Sequence, residues 1–322
     1  MHMFTRPASL PAACTPPSVW NSSMDRSIKL MGAIALAATA ACGTDPISPS
    51  NSSAAGNPAN SAAASTNNVV VTESDVSRQA EDTPPLRNWV FYFRSPTSTG
   101  AFVWGPGNPP LGVGSFEMGT ALATDKGTLF NYDHVGTALT DITRIGYATY
   151  RDGSSAATSP SYQLPSINIE VDYNGPTVAG GYTSLVYEPI YNVDASAIVA
   201  NTWQTWNAIP GIWWSTRPIN GCAVTPCYQP WSTIVANNPN AAILGGFGVN
   251  QGSGSGGLIA ATDALSIGHG GSTWTYNFEP FRSPTSKNDC KDGGWETLKA
   301  ADGSSFKNQG QCIKYVHESQ ES

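Results

Sequence analysis

Two stretches of this chain alternate apolar and polar residues strictly, and no other feature limits its fold as much. In one, Ile167, Ile169, Val171 and Tyr173 alternate with Asn168, Glu170 and Asp172. In the other, Trp274, Tyr276 and Phe278 alternate with Thr273, Thr275, Asn277 and Glu279. A period of two belongs to a strand with one face buried and one face wet. Trp89-Val90-Phe91-Tyr92-Phe93 adds a dense aromatic run, and further strands are expected at 101–104, 114–120, 127–132, 142–150, 183–191, 198–206, 241–249 and 257–267. Turn-forming breaks such as Gly105-Pro106-Gly107-Asn108-Pro109-Pro110 separate them. There is no βαβ rhythm and no blade-length repeat. The expected fold class is therefore all-β, an antiparallel two-sheet sandwich of jelly-roll-like form over residues 86–282. One short helix is expected near Pro230–Ala236, with Pro230 in its first turn.

Composition supports the same class. Only 12% of the 322 residues are charged, against roughly 25% in an average soluble protein. Ser, Thr, Asn and Gly must supply the polar surface, and these residues favour turns and strands. The net charge of −7 argues against nucleic acid, which needs a basic stripe to neutralise phosphates.

The N-terminal region reads as an export signal over 24–42, with 1–23 as a start-site extension. Arg26 and Lys29 precede the apolar run Leu30–Ala41, whose 12 residues are too few to span roughly 30 Å of hydrocarbon. Ala40-Ala41-Cys42 resembles a lipoprotein box, which implies lipidation of Cys42 and attachment to an outer membrane or cell surface. Thr39 stands where that family usually has an aliphatic residue, and cleavage after Ala38-Thr39-Ala40 is the alternative, leaving a secreted protein. Residues 43–85 are Ser, Ala, Asn, Thr and Pro with few large apolar side chains, and they are expected to form a disordered tether.

Within the sandwich region, Gly114-Ser115-Phe116-Glu117, Gly136–Ile142, Trp203-Gln204-Thr205-Trp206, Trp213-Trp214, Asp263–Gly268 and Tyr276–Glu279 resemble a group of secreted bacterial and fungal sandwich proteins. That resemblance implies the fold and no particular activity. Residues 283–322, with Ser286-Lys287-Asn288-Asp289-Cys290-Lys291-Asp292-Gly293-Gly294-Trp295 and Phe306-Lys307-Asn308-Gln309-Gly310-Gln311-Cys312, resemble a short C-terminal module of secreted bacterial proteins. Beyond Cys14 and Cys42, four cysteines remain, and they allow three pairings. Local pairing, Cys222 with Cys227 and Cys290 with Cys312, respects the division into regions and suits an oxidising compartment. A zinc site lacks a second ligand pair near Cys222 and Cys227.

Glu170 and Asp172 share one face of their strand. The segment Glu170–Gly175 resembles the catalytic strand of laminarinase-type sandwich glycosidases, yet Gly175 stands where the acid/base glutamate belongs. The alternatives are a solvated acidic face, or oxygens meeting a ligand or a calcium ion; no cofactor is otherwise expected. Gly252-Ser253-Gly254-Ser255-Gly256 has glycine where a nucleophile elbow needs serine, and His134, His269 and His317 read as loop or surface residues. Trp203, Trp206, Trp213 and Trp214 crowd into twelve residues. Adjacent Trp213 and Trp214 cannot both point inward from a strand, so one of them is expected on a surface, where indole faces suit sugar rings. The expected function is binding of an extracellular polysaccharide or surface polymer, with the membrane met only through the lipid anchor. The alternatives are an adhesive surface protein without a small ligand, or a polysaccharide hydrolase or lyase with two facing carboxylates such as Glu170 with Glu117 or Glu188.

Overall fold

The computed structural model describes residues 65–156 and 158–320. The export signal, Cys42 and the first part of the expected tether lie outside the described residues. The described chain forms two mixed sheets packed face to face, not a barrel.

The eight-stranded sheet contains β2 (Val76–Ala80), β3 (Trp89–Phe93), β6 (Lys126–Asn131), β8 (Ser166–Asp172), β9 (Tyr182–Tyr187), β11 (Ile212–Ser215), β12 (Cys227–Pro230) and β13 (Ala242–Gly252). Its spatial order is β12-β11-β9-β8-β13-β6-β3-β2. The seven-stranded sheet contains β1 (Ser65–Val71), β4 (Ser98–Trp104), β5 (Gly114–Thr120), β7 (Arg144–Arg151), β10 (Trp203–Asn207), β14 (Leu258–His269) and β15 (Ser272–Phe278). The strands turn most of their apolar positions inward, while Val90, Tyr92 and Phe130 of β3 and β6 form a separate small cluster. Phe91, Phe116, Leu129, Ile145, Ile167, Ile169, Phe247, Val249, Ile267 and Phe278 are all buried in one core.

The expected helix is α1 (Trp231–Asn237), with Pro230 at its N-cap. Two expectations need correction. Residues 65–80, assigned to the tether, form β1 and β2, because Val69, Val71 and Val76 each find an apolar neighbour in the core. The sheets are not wholly antiparallel, since β1 runs parallel to β15 and β2 parallel to β3. The turn between β1 and β2 passes the chain from one sheet to the other, and Asp75 Oδ2 accepts from the Thr72 amide at 2.8 Å there. A strand that arrives from a sheet switch needs no hairpin, so it can lie alongside its neighbour in either direction.

Cys222–Cys227 and Cys290–Cys312 are both bridged. Such bonds persist in oxidising compartments. Among the described residues no helix is long and apolar enough to cross a membrane. The C-terminal module has its own small core, in which Phe306 and Val316 pack around the Cys290–Cys312 bridge under α2 (Gln309–Gln320). It meets the sandwich region through the Lys299 amide, which donates to the Arg282 carbonyl at 3.0 Å.

Candidate ligand groove

The tryptophan cluster splits along the period-two rule. Trp213 points inward and is 0% exposed; its indole N–H donates to the Ala208 carbonyl at 2.8 Å. Its ring centre lies 5.0 Å from Trp231 and 5.5 Å from Tyr187. Trp206 is also core, donating to Thr149 Oγ1 at 2.8 Å. Both were expected as ligand contacts, and neither can be one, because each is enclosed with its only polar atom satisfied. Trp203 lies half-buried on the seven-stranded sheet, tied to the Pro106 carbonyl at 2.8 Å and packed on Tyr150. Trp214 faces outward from the eight-stranded sheet, half-buried, and donates to Glu188 Oε1 at 3.1 Å.

Around Trp214 the outer face of that sheet forms a groove enclosing about 620 Å³, within the roughly 300–1,000 Å³ of small-molecule sites. The register explains its lining. Asn168 pairs with Val186 and with Gly248, Val186 with Trp214, and Ser166 with Asn250. Because their neighbours Ile167, Ile169, Leu185 and Val249 fill the core, these residues must face out. Ser166, Asn168 and Asn250 make a floor of short polar side chains, with Gly252 beside them. Ser166 Oγ donates to Asn168 Oδ1 at 2.9 Å, and Thr128 Oγ1 donates to Asn250 Oδ1 at 2.9 Å. These bonds fix the amide oxygens and leave the Asn168 nitrogen without a protein acceptor among the described residues.

The two ends of the groove differ. At the β11 and β9 end stand Trp214, Glu188, Tyr191 and Tyr162. Tyr191 is 45% exposed and lies 4.7 Å, centre to centre, from equally exposed Tyr228. Burial pushes the Glu188 carboxyl above the usual range, and the Trp214 bond opposes this. At the β6 and β13 end stand Arg94, Lys126, Ser253 and Ser255. From β11 to β6 is four strand spacings, about 19 Å, too long for one sugar ring to touch both ends.

Glu170 and Asp172 face the same side but do not line the groove. Glu170 accepts from Tyr182 Oη at 2.9 Å and from the Gly246 amide at 2.8 Å, and Asp172 accepts from the Asn174 amide at 3.1 Å. Each therefore fastens local backbone or a neighbouring ring. Glu170 pairs in register with Ser184, so Glu188 lies four residues further along, about 13 Å away. That exceeds both carboxyl spacings used in glycoside hydrolysis. Glu117 sits on β5 in the other sheet. Glu188 is the one carboxylate lining the groove among the described residues. No group of three or more His, Cys, Asp or Glu that could hold a metal occurs among the described residues.

His134 lies in the turn after β6, a loop residue as expected but a buried one, and His269 is not in a loop but ends β14 half-buried. His134 is 3% exposed. Its Nδ1 lies 3.0 Å from His269 Nε2, and its Nε2 lies 2.7 Å from Tyr276 Oη. His269 stacks on Trp274 with ring centres 4.5 Å apart. The pair ties the loop after β6 to the β14–β15 hairpin. Burial and the neighbouring His269 lower the His134 pKa to about 4.

No protein-family model, no curated protein and no solved structure matches the chain.

Proposed function

We propose that this protein is an exported surface protein whose eight-stranded sheet binds a polysaccharide across its outer face. One observation carries the reading. Trp214 is turned out of the core beside exposed tyrosines, over a floor of hydroxyls and amides. Aromatic faces beside convergent polar groups match the apolar faces and hydroxyl rims of sugar rings. The length of the groove across five strands favours a polymer over a monosaccharide.

The two disulfides agree with an oxidising, extracellular setting. A lipid on Cys42 is part of the same proposal. It would hold the sandwich at a cell surface, and labelling with a clickable fatty acid tests it.

The binding test is affinity electrophoresis of the mature chain in gels containing a panel of polysaccharides. Retardation by at least one polymer, lost in Trp214→Ala and kept in Trp203→Ala, is the expected result. Retardation that survives Trp214→Ala rejects this face as the site. Reducing-sugar release from the retarding polymer tests hydrolysis separately; with one lining carboxylate, none is expected.

A further inference from the structure

The proposed groove is electrically lopsided, and this bears on which polymer it takes. Arg94 and Lys126 both line it, while Glu81, the carboxylate that holds them, does not. Arg94 Nε lies 2.7 Å from Glu81 Oε2, and Lys126 Nζ lies 2.5 Å from Glu81 Oε1. Arg94 Nη1 also donates to Ser253 Oγ at 2.7 Å. One carboxylate thus positions two cations from behind, and one positive charge at this end is not balanced by Glu81. Both cations keep about a third of their side-chain surface open, 42% for Arg94 and 29% for Lys126. The opposite end carries Glu188, which has no cation paired with it among the described ion pairs and accepts from Trp214.

We propose, resting on the groove reading above, that the Arg94–Lys126 end receives an anionic substituent of a sugar ring, so that the ligand is an acidic polysaccharide. A guanidinium and an ammonium held side by side offer both planar and point-charge donors to a carboxylate or a sulfate. The Glu188 end accepts hydroxyl protons instead. A chain of net charge −7 repels polyanions in general, so affinity for one must come from a local site such as this.

The test compares matched polymers on the mature protein: dextran against dextran sulfate, and polygalacturonate against its methyl ester, at 20 and 300 mM salt. The charged member of at least one pair is expected to bind about tenfold tighter at low salt. Arg94→Gln and Lys126→Gln should each remove most of that difference. Glu81→Gln gives the decisive arm. It releases both cations and is expected to tighten binding of the charged polymer about threefold, a gain that misfolding cannot produce. Preference for polygalacturonate assigns a carboxylate, and preference for dextran sulfate assigns a sulfate. If neutral and charged members bind equally and Trp214→Ala abolishes both, the groove stands and the anionic assignment falls. Charged binding that is unchanged by Glu81→Gln and by both cation substitutions also overturns it. If no polymer binds, the groove reading itself fails.

Discussion

Neighbouring tryptophans on one strand provide a controlled comparison, because Trp213→Ala and Trp214→Ala remove the same atoms from opposite faces of β11. Trp213 is wholly enclosed between Tyr187 and Trp231 and donates to the Ala208 carbonyl. Truncating a buried Trp costs about 3–5 kcal/mol, and stranding a buried carbonyl adds about 1 kcal/mol. Trp214 is half-buried, loses one hydrogen bond to Glu188 and leaves an open groove instead of a cavity. Its truncation should cost about 1 kcal/mol. For a domain of this size each kcal/mol moves Tm by about 2–4 °C. Scanning calorimetry should therefore show Trp213→Ala melting about 8–24 °C low and Trp214→Ala within about 4 °C of the parent. Polysaccharide retention should be lost in Trp214→Ala. Equal destabilisation by the two substitutions, or the reverse order, would refute the assignment of faces.

Acid should weaken the fold through His134. Its folded pKa of about 4 lies below the unfolded value near 6.5, so the neutral form is favoured by folding. The associated stability is fully present above about pH 6.5 and is lost as pH falls towards 4, by about 3 kcal/mol at most. The difference in urea midpoint between the parent and His134→Gln isolates this contribution from carboxyls such as buried Asp263, which titrates with the opposite sign, and that difference should shift against the parent as pH falls from about 7.5 to 4. Reducing Cys290–Cys312, which closes a separation of 22 residues, should destabilise the C-terminal module by about 3 kcal/mol. Limited proteolysis should then cut beyond residue 282 first. Glu170→Gln weakens the anchoring of Tyr182 and the Gly246 amide. It should cost about 1–2 kcal/mol in urea titration and leave polysaccharide affinity unchanged, since Glu170 does not line the groove.

The strands were legible wherever alternation was strict. The alternations at 167–173 and 273–279 coincide with β8 and β15 to within a residue, because a one-residue slip would exchange their inward and outward faces. The Trp213–Trp214 pair was legible for the same reason, down to which kind of residue must face out. The first two strands were not. In Ser65–Val71 the inward positions are filled largely by Asn and Val, and pairing with β15 comes from the far end of the chain. His134 follows Asp133 in a polar turn, and nothing local announces that its ring is covered by Tyr276, Trp274 and Phe247. The groove was half visible. Asn168 and Ser166 sit in an alternation read at once, but Asn250, Lys126 and Arg94 join them only through strand pairings between residues as far apart as Lys126 and Gly252. Glu170 misled because sharing a face with Asp172 says nothing about what its oxygens bind.

Hydroxyl-radical footprinting of the mature protein, with and without a retarding polysaccharide, tests most directly whether the outer face of the eight-stranded sheet is where the polymer lies. Protection of Trp214, Tyr191 and Tyr162, with Trp203 and Tyr150 on the other sheet unchanged, is the predicted result. Protection at Trp203 and Tyr150, with Trp214 oxidised at its free rate, would contradict it.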